Sequence, residues 1–344
     1  MLRKPQLILT FSLLAVGSIP VGCSSTAPRQ IATPEERSQA QIDRAREMAV
    51  QTLLGLADHV QPVVRANTIE AFAAAPEAGT DAIEAGLRDS NEGVRSVAAV
   101  VVGRLGLESA AGWLRPLVMD ESEFVRVSAV FALRKLGEDI DLTPLANTLF
   151  TSHDTRARAH TAFLLGELGS PTAIDMLRQA SLEGVSRASA SEVALLRLQI
   201  AEAMIKLGDD GPLPGVKAAL FPARPEEFEL AALAIQIIGE VGDRNAVDQL
   251  IYLADAEGTE AMPPEIRLAA ADALSKLGHP QGAFIADEYR SDEAESVRAY
   301  AAVVYGRTDA AGNLGKVLGM LSDRSPIVRA AAARAVLDLT GTND

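Results

Sequence analysis

The chain has 344 residues, of which 48% are hydrophobic but only 4% are aromatic. So large an apolar fraction excludes a disordered chain, and so few aromatic residues argue against a β-sandwich or barrel, whose strands favour aromatic and β-branched side chains. The formal net charge of -14 argues against a nucleic-acid partner held by phosphate neutralisation. The composition therefore predicts closely packed helices built from small apolar residues.

The first 22 residues have the features of an export signal. Arg3 and Lys4 precede an apolar stretch, residues 7–17, which at about 11 residues is too short to span a ~30 Å hydrocarbon core. The sequence IPVG then leads to Cys23, which is the lone cysteine. This segment resembles the lipobox of bacterial lipoproteins, in which the cysteine becomes the lipidated first residue of the mature chain. The resemblance implies a signal peptide over residues 1–22 and a lipid anchor at Cys23. It also implies a cell-envelope location, at the outer membrane facing the periplasm in a diderm bacterium. A free cysteine in an ordinary signal peptide is the alternative.

A tether and an opening helix follow the cysteine. Residues 23–33 are mostly small and polar, as expected of a flexible linker. Thr33, Pro34 and Glu36 form a capping box with proline at the first helical position, which predicts the start of a helix. We therefore expect an N-terminal capping helix over residues 34–57 that keeps one charged face in water.

The rest of the chain repeats one pattern nine times. Each copy places apolar residues at intervals of three and four around a landmark arginine, and in most copies a glycine follows 11 residues after it. This spacing predicts an amphipathic helix that ends at a glycine cap. The landmark position is occupied by Arg65, Arg95, Arg126, Arg158, Arg197, Ala231, Arg267, Arg298 and Arg329. Successive landmark positions are 30 to 39 residues apart.

A second, shorter apolar-periodic stretch of about ten residues follows each of the first eight copies. A helix pair of this size cannot bury its apolar face alone, so neighbouring pairs must stack. The prediction is an all-α protein, a right-handed α-solenoid of about nine helix-pair repeats over residues 58–341. The pattern resembles the HEAT-like repeats of bacterial proteins, the group that includes the bilin lyase repeats. Because the ninth copy consists of one helix, we expect that helix either to be partly exposed or to meet a partner.

Four copies carry an aspartate six residues before the landmark arginine. The pairs are Asp89 with Arg95, Asp120 with Arg126, Asp292 with Arg298, and Asp323 with Arg329. A carboxylate at this place also favours the helix dipole. The resemblance implies that these groups form a ladder between successive repeats. Since no enzyme needs its site repeated four times, we interpret the pairs as structural, and we expect Arg126 to be tied to carboxylates in its own and a neighbouring repeat.

No set of residues has the spacing of a catalytic or metal site. The four histidines, His59, His153, His160 and His279, have no partner at a spacing such as HExxH. A phosphate-binding glycine loop and a GxSxG elbow are also absent from the sequence. We therefore predict no catalytic residue, no metal and no cofactor, and a protein that is not an enzyme.

Partner binding is expected on the second helices, which usually line the concave face of a solenoid. The candidate partner-binding residues are Glu84, Trp113, Arg115, Asp248, Tyr252 and Asp287. Tyr252 would supply an aromatic anchor, whereas Trp113 is more typical of a core position. The three longest repeats lie in the middle of the array, with extra residues in 180–192, 221–229 and 255–265. Such insertions map to loops on one edge, often the binding edge, although tolerated variation in loop length produces the same pattern.

These features predict a lipid-anchored, extracytoplasmic scaffold that binds protein partners along its concave face. One alternative is an enzyme or cofactor-handling protein related to the bilin lyases, against which the predicted envelope location and the lack of a nucleophile or metal cluster stand. The other alternative is a structural envelope spacer without a specific ligand.

Overall fold

The structure is a computed structural model that describes residues 34–256, 261–279, 282–308 and 310–341. Over these residues the chain forms eighteen α-helices and no β-strand, which confirms the prediction of an all-α solenoid. The predicted signal peptide, Cys23 and the tether, residues 1–33, lie outside the described residues.

Nine of the helices carry the landmark position and are called the first helices. They are α2 (Pro62–Ala71), α4 (Glu92–Leu105), α6 (Glu123–Lys135), α8 (Thr155–Leu168), α10 (Ala190–Lys206), α12 (Phe228–Val241), α14 (Pro264–Lys276), α16 (Glu295–Arg307) and α18 (Pro326–Thr340). Six of them are followed by a glycine whose φ lies between 65° and 99°: Gly106, Gly137, Gly169, Gly208, Gly242 and Gly278. This left-handed conformation confirms the predicted glycine caps, because a side chain would strain it.

The other nine helices are called the second helices, and most of them are shorter. They are α1 (Pro34–Leu54), α3 (Pro76–Gly86), α5 (Ala111–Leu117), α7 (Thr143–Thr151), α9 (Ile174–Leu182), α11 (Leu213–Ala218), α13 (Val247–Asp255), α15 (Ala283–Tyr289) and α17 (Ala310–Met320). Each buries one face only, as α13 does with Leu250, Leu253 and Ala254.

The first helices form the inner layer of the fold. In α16 the nine consecutive residues 297–305 are all buried, and because nine residues make about 2.5 turns, this helix is covered on every side. Consecutive first helices pack along each other, whereas consecutive second helices scarcely touch. Since the more closely spaced layer of a curved array lies on its concave side, the prediction that second helices line the concave face is wrong.

The array of helices closes on itself. Helix α18 packs against α2 as well as α16, and Nη1 of Arg334 donates to the carbonyl oxygen of Glu70 at 3.2 Å. Helix α1 lies along α18 and also touches α3, and it buries Ala45, Ala49 and Leu53. Helix α1 therefore serves as the second helix of the ninth unit, and the nine units form a closed ring.

This closure corrects two expectations about the ends of the array. The last helix is neither exposed nor in need of an outside partner, since Val336 and Leu337 are at most 1% exposed beneath the chain's own helices. The helix predicted over residues 34–57 ends at Leu54, and it is not a cap on an open end, because its apolar face covers α18.

Close and wide contacts alternate between neighbouring first helices around most of the ring. In α4, α8, α12 and α16 a glycine eight residues after the landmark position lies against the backbone of an alanine in the next first helix. A Cβ on Gly103 would meet Cα of Ala132 at 2.8 Å, and one on Gly306 would meet Cα of Ala335 at 2.9 Å. The two equivalent contacts join Gly166 to Ala203 and Gly239 to Ala273. Four close helix pairs thus give a two-unit period from α4 to α18, and α2 lies outside these pairs.

Candidate functional site

Landmark arginines form ion pairs with carboxylates of the following unit. Nε and Nη2 of Arg95 donate to the two carboxylate oxygens of Asp120, both at 2.9 Å. Nη1 of the same guanidinium donates to the carbonyl oxygen of Asp89 in its own unit. The same bidentate geometry recurs in two further pairs, Arg65 with Asp89 and Arg298 with Asp323. We call this set of pairs the ladder.

Ladder aspartates also organise the turn before their own first helix. The amide of Ser325 donates to Oδ1 of Asp323 at 2.8 Å. Asp292 accepts the amide of Ala294 in the same way, but its prediction as a ladder residue is wrong, because the preceding landmark arginine, Arg267, pairs with Glu288. The carbonyl oxygen of Asp323 accepts Nη1 of Arg329 at 2.9 Å. Asp323 therefore holds the preceding unit through its side chain and its own first helix through its backbone.

The pKa shifts of the ladder groups follow from these bonds. The hydrogen bond from Arg65 lowers the pKa of Asp89, and burial opposes this effect without cancelling it. At Asp120 burial is the largest influence and raises the pKa, but the bonds from Arg95 and from a backbone amide outweigh it, so the pKa is lowered. The side chains of Arg95 and Asp120 are only 12% and 10% exposed, so water screens this pair little.

The prediction for Arg126 is wrong. Its Nη1 donates to the carbonyl oxygens of Asp120 and Glu121, at 2.6 and 2.9 Å. The place that supplies the next carboxylate at the intact steps is occupied here by Ser152, whose hydroxyl donates to Glu123 at 2.8 Å. The ladder lacks a carboxylate at this step, so Arg126 is held by backbone oxygens.

A column of charged residues near the C-terminal ends of the first helices was missed by the sequence analysis. Eight of the nine first helices have a charged residue nine positions after the landmark position: Arg104, Lys135, Glu167, Lys206, Glu240, Lys276, Arg307 and Asp338. We call these residues the central column. The signal was present in the aligned copies, as a charge at one fixed position among apolar neighbours.

On one side of the ring the central column forms a buried ion-pair cluster. Arg104 of α4 lies 3.2 Å from Glu167 of α8, although α6 stands between these helices in the ring. Lys206 lies 3.0 Å from the same carboxylate and 2.7 Å from Glu202. Burial raises the pKa of Glu167, but Lys206 and Arg104 outweigh it, so the pKa is lowered. These pairs tie three first helices together through the interior.

A second cluster lies among α12, α14 and α16. Lys276 pairs with Glu240, and Asp272 pairs with both Lys276 and Arg307 at 3.1 Å. The side chains of these four residues are 6% to 20% exposed. Because these four residues carry two positive and two negative charges, they neutralise one another. We therefore interpret the cluster as one that holds the three helices together.

A buried polar chain crosses three successive first helices. The hydroxyl of Ser96 lies 2.9 Å from that of Ser128, which lies 2.8 Å from Nε2 of His160. Burial, aided by Arg104, lowers the pKa of His160 to about 4, so the imidazole is neutral at pH 7. His153 is not part of this chain, since its Nδ1 lies 3.4 Å from the hydroxyl of Ser186.

Across the described ranges, no group of three or more His, Cys, Asp or Glu residues is arranged to hold a metal ion. Among the helices the structure describes, none combines the length and apolar character that crossing a membrane requires.

The candidate partner-binding residues lie on four second helices, in the outer layer. They are Glu84 on α3, Trp113 and Arg115 on α5, Asp248 and Tyr252 on α13, and Asp287 on α15. Three of them contact side chains of neighbouring units. Glu84 accepts a hydrogen bond from Ser109 at 2.8 Å, Arg115 pairs with Glu138 at 2.6 Å, and Asp287 pairs with Lys316 at 2.8 Å. These three residues therefore link units to one another.

Trp113 is not a core residue. It is 43% exposed, and the guanidinium of Arg88 lies 4.2 Å from its ring centre. A cation over an aromatic face at this distance is attractive, so the indole is held against the preceding unit while one side faces solvent.

Helices α13 and α15, which are successive second helices, carry exposed apolar side chains. Ile251, Tyr252 and Phe284 are 46%, 45% and 48% exposed, and we call them the outer apolar patch. On α13, Asp248 and Asp255 lie on the same helix face as Ile251 and Tyr252, at spacings of three, four and seven residues. Exposed apolar side chains with acidic neighbours on successive outer helices are typical of interaction surfaces.

One part of this array is similar to a known repeat family. Residues 80–159, from within α3 into α8, match HEAT repeats. No curated protein sequence shows a significant match to the chain.

The solved structures that are similar to the chain include the following three. An engineered protein is 18% identical, with 88% of this chain and 95% of that chain covered and a TM-score of 0.35. Human deoxyhypusine hydroxylase in complex with glycerol is 19% identical, with 68% and 96% covered and a TM-score of 0.32. The complex of CpcE and CpcF of phycocyanin lyase from Nostoc sp. PCC7120 is 20% identical, with 73% and 84% covered and a TM-score of 0.31.

Proposed function

We propose that the protein is a ring-shaped scaffold, held at a cell-envelope membrane by a lipid on Cys23, that binds a protein partner through the outer apolar patch. HEAT repeats commonly mediate protein–protein interactions. The observation that carries the proposal is the half-exposure of Ile251, Tyr252 and Phe284 on two successive outer helices. The charged groups of the interior pair with one another, which leaves the outer faces as the surface for a partner.

The chemistry of the patch indicates the kind of partner. Asp248 is exposed and shares a helix face with Tyr252 and Asp255, so the patch is apolar with an acidic border. A partner segment with apolar side chains and flanking lysines or arginines is complementary to this border. The acidic residues would mainly speed association, whereas Tyr252, once covered by the partner, would supply more of the affinity.

The partner is to be isolated by affinity purification of the full chain from detergent-solubilised envelopes, followed by mass spectrometry. Tyr252→Ala should then weaken binding by about 2 kcal/mol, or roughly 30-fold, whereas Leu182→Ala is the matched control because Leu182 is 80% exposed outside the patch. Asp248→Lys should slow association and reduce its dependence on salt. Asp287→Lys is a poor test, since Asp287 already pairs with Lys316.

The results of this experiment separate the three classes of function. A stoichiometric partner that both patch variants weaken supports the scaffold. Equal binding by wild type and folded Tyr252→Ala places the contact elsewhere. A co-purifying pigment or substrate turnover supports a cofactor-handling protein or enzyme, and the absence of any specific ligand supports a structural spacer.

The anchor is tested separately. Wild-type protein should fractionate with membranes, because the three acyl chains of a bacterial lipoprotein hold far more firmly than a single chain. Cys23→Ser should move to the soluble fraction. Wild-type protein that is wholly soluble, with an ordinary cleaved N-terminus, would refute the anchor.

A further inference from the structure

The two rims of the ring are formed by different turns. Each second helix returns the chain to the rim from which the next first helix begins, so all nine first helices begin at one rim and end at the other. We call the rim where they begin the ladder rim, because its turns, such as residues 118–122, hold the ladder aspartates. The opposite rim, with turns such as residues 136–142, is called the stalk rim. Most first helices have 13 to 15 residues, so the two rims are about 20 Å apart.

Helix α1 projects beyond the stalk rim. As the second helix of the ninth unit, it ends at the ladder rim, before α2, and begins on the side of the stalk rim. Nη2 of Arg46 lies 3.9 Å from Oε1 of Glu77, the second residue of α3, so Arg46 is level with the rim at which α3 begins. Ala45, at 2% exposed, is the first residue of α1 that the structure shows to be buried. The eleven residues from Pro34 to Arg44 therefore extend about 16 Å outward.

This projecting half of α1, residues 34–44, is called the stalk. Its sequence is PEERSQAQIDR, and among residues 38–44 all except Ile42 are exposed. The amide of Gln39 donates to Oδ1 of Asp43 one turn later, at 2.9 Å, so this polar contact stays within the helix. A helix that is polar on all sides has no face to pack against a core, and it is typical of a solvated spacer.

The length of chain before the stalk limits which rim can face a membrane. In the proposed anchored protein the lipid is on Cys23, eleven residues before Pro34. Eleven residues reach at most about 40 Å, and as a flexible coil, which their composition predicts, they span about 18 Å. If the ladder rim faced the membrane, Pro34 would stand a full length of α1, 21 residues or about 31 Å, away from it. The tether would then be close to full extension, whereas it stays relaxed if the stalk rim faces the membrane.

We propose that the lipid on Cys23 orients the ring, with the stalk rim toward the membrane and the ladder rim away from it. This inference rests on the proposed anchor and adds which face of the ring the membrane meets. Among the described residues, the four most exposed large hydrophobic side chains lie in or beside turns of the ladder rim, at 64% to 86% exposed: Val60, Met119, Leu182 and Phe221. In this orientation these side chains are directed away from the bilayer.

Two labels at opposite ends of α6 test the orientation. Cys23 is the lone cysteine of the chain, and the lipid occupies its sulfur, so Asp139→Cys on the stalk rim and Met119→Cys on the ladder rim each add one site for a donor fluorophore. Both positions are exposed. The full lipidated chain is bound to phosphatidylcholine vesicles that contain rhodamine-labelled phosphatidylethanolamine, and energy transfer to the rhodamine is measured. Because α6 separates the labels by about 20 Å, transfer from the label at 139 should exceed transfer from the label at 119 by about twofold.

A longer tether is the matched control. Insertion of ten Gly-Ser pairs between Thr33 and Pro34 extends the span of the tether to about 30 Å, so either rim can face the membrane and the difference between the labels should disappear. Equal transfer from the two labels, greater transfer from the label at 119, or a difference that the longer tether leaves unchanged would overturn the orientation while the anchor stands.

The anchor is checked in the same experiment. Cys23→Ser should abolish flotation with the vesicles and energy transfer from both labels. If the wild-type chain itself fails to float with the vesicles, the anchor is refuted, and the orientation is refuted with it.

Discussion

Closure of the ring makes a quantitative prediction for two adjacent leucines of α1. Leu53 is 0% exposed, whereas Leu54 is 45% exposed on the same helix. Truncation of a fully buried leucine to alanine costs about 2–5 kcal/mol, because it loses both transfer energy and packing. The same change at a half-exposed leucine is expected to cost less than about 1 kcal/mol.

This difference is measurable as a shift in melting temperature. A folded unit of about 300 residues has an unfolding entropy of ~0.6 kcal/mol/K near its midpoint, so Leu53→Ala should lower Tm by about 3–8 °C. Leu54→Ala, the matched control, should lower Tm by no more than about 2 °C. Circular dichroism at 222 nm measures both variants under identical conditions.

Hydrogen exchange distinguishes ring closure from a purely local role of α1. In a closed ring, Leu53→Ala removes cover from α18, so the amides of α18 should exchange faster although they lie more than 270 residues away in sequence. In an open solenoid, protection of α18 would not depend on α1, because each repeat contacts only its neighbours. Unchanged exchange in α18, or equal Tm shifts for the two leucine variants, would refute the closed ring.

Three further predictions concern helix packing, the ladder and the buried histidine. Gly103→Ala should destabilise the fold, because its Cβ would meet an alanine Cα at 2.8 Å. Gly315→Ala, with open space around it, should stabilise α17 by up to about 1 kcal/mol. Urea unfolding should therefore give changes in the free energy of unfolding that have opposite signs for the two variants. Arg95→Ala should lower the free energy of unfolding by about 3–5 kcal/mol. The same change at Arg197, which is exposed, should lower it by less than about 1 kcal/mol, so equal losses would contradict the ladder. His160 binds a proton more weakly in the folded protein than in the unfolded chain, because burial lowers its pKa to about 4. Its contribution to the free energy of unfolding, on the order of 3 kcal/mol, is therefore complete above pH ~6.5 and is lost as the pH falls toward 4. His160→Gln should flatten this part of the stability curve, and an unchanged slope would contradict burial of the imidazole.

Local features of the fold could be predicted from the sequence, because they depend on spacing within one repeat. The glycine caps at Gly106 and Gly169 follow from the end of each apolar pattern. Ring closure could not be predicted, since it depends on the sum of eight small rotations between units. The role of α1 was missed for the same reason, because its partner, α18, lies at the other end of the chain.

The candidate sites were predicted less well than the fold. Four aspartates were assigned to a ladder, and the serine at position 152 is visible in the sequence. The structure was needed to show that a landmark arginine pairs with the aspartate of the following unit, so that Ser152 leaves Arg126 with backbone oxygens. Partner binding was expected on a concave face lined by the second helices, but these helices form the outer layer of the ring. Glu84 and Asp287 then proved to link units, which a sequence column cannot distinguish from exposure to a partner.

The closed ring also limits how this protein can evolve. An open solenoid can gain or lose a repeat by gene duplication or deletion, with changes only at the joint. Here nine units share a full circle, an average of about 40° each, so a tenth or an eighth unit would separate α1 from α18 or force them past each other. The four close glycine–alanine pairs add a further restriction, because removal of a unit that supplies one member of a pair would leave the other member without its matching helix face. We therefore expect length variation among related rings to occur within loops, as in the long segment 183–189, and not in the number of units.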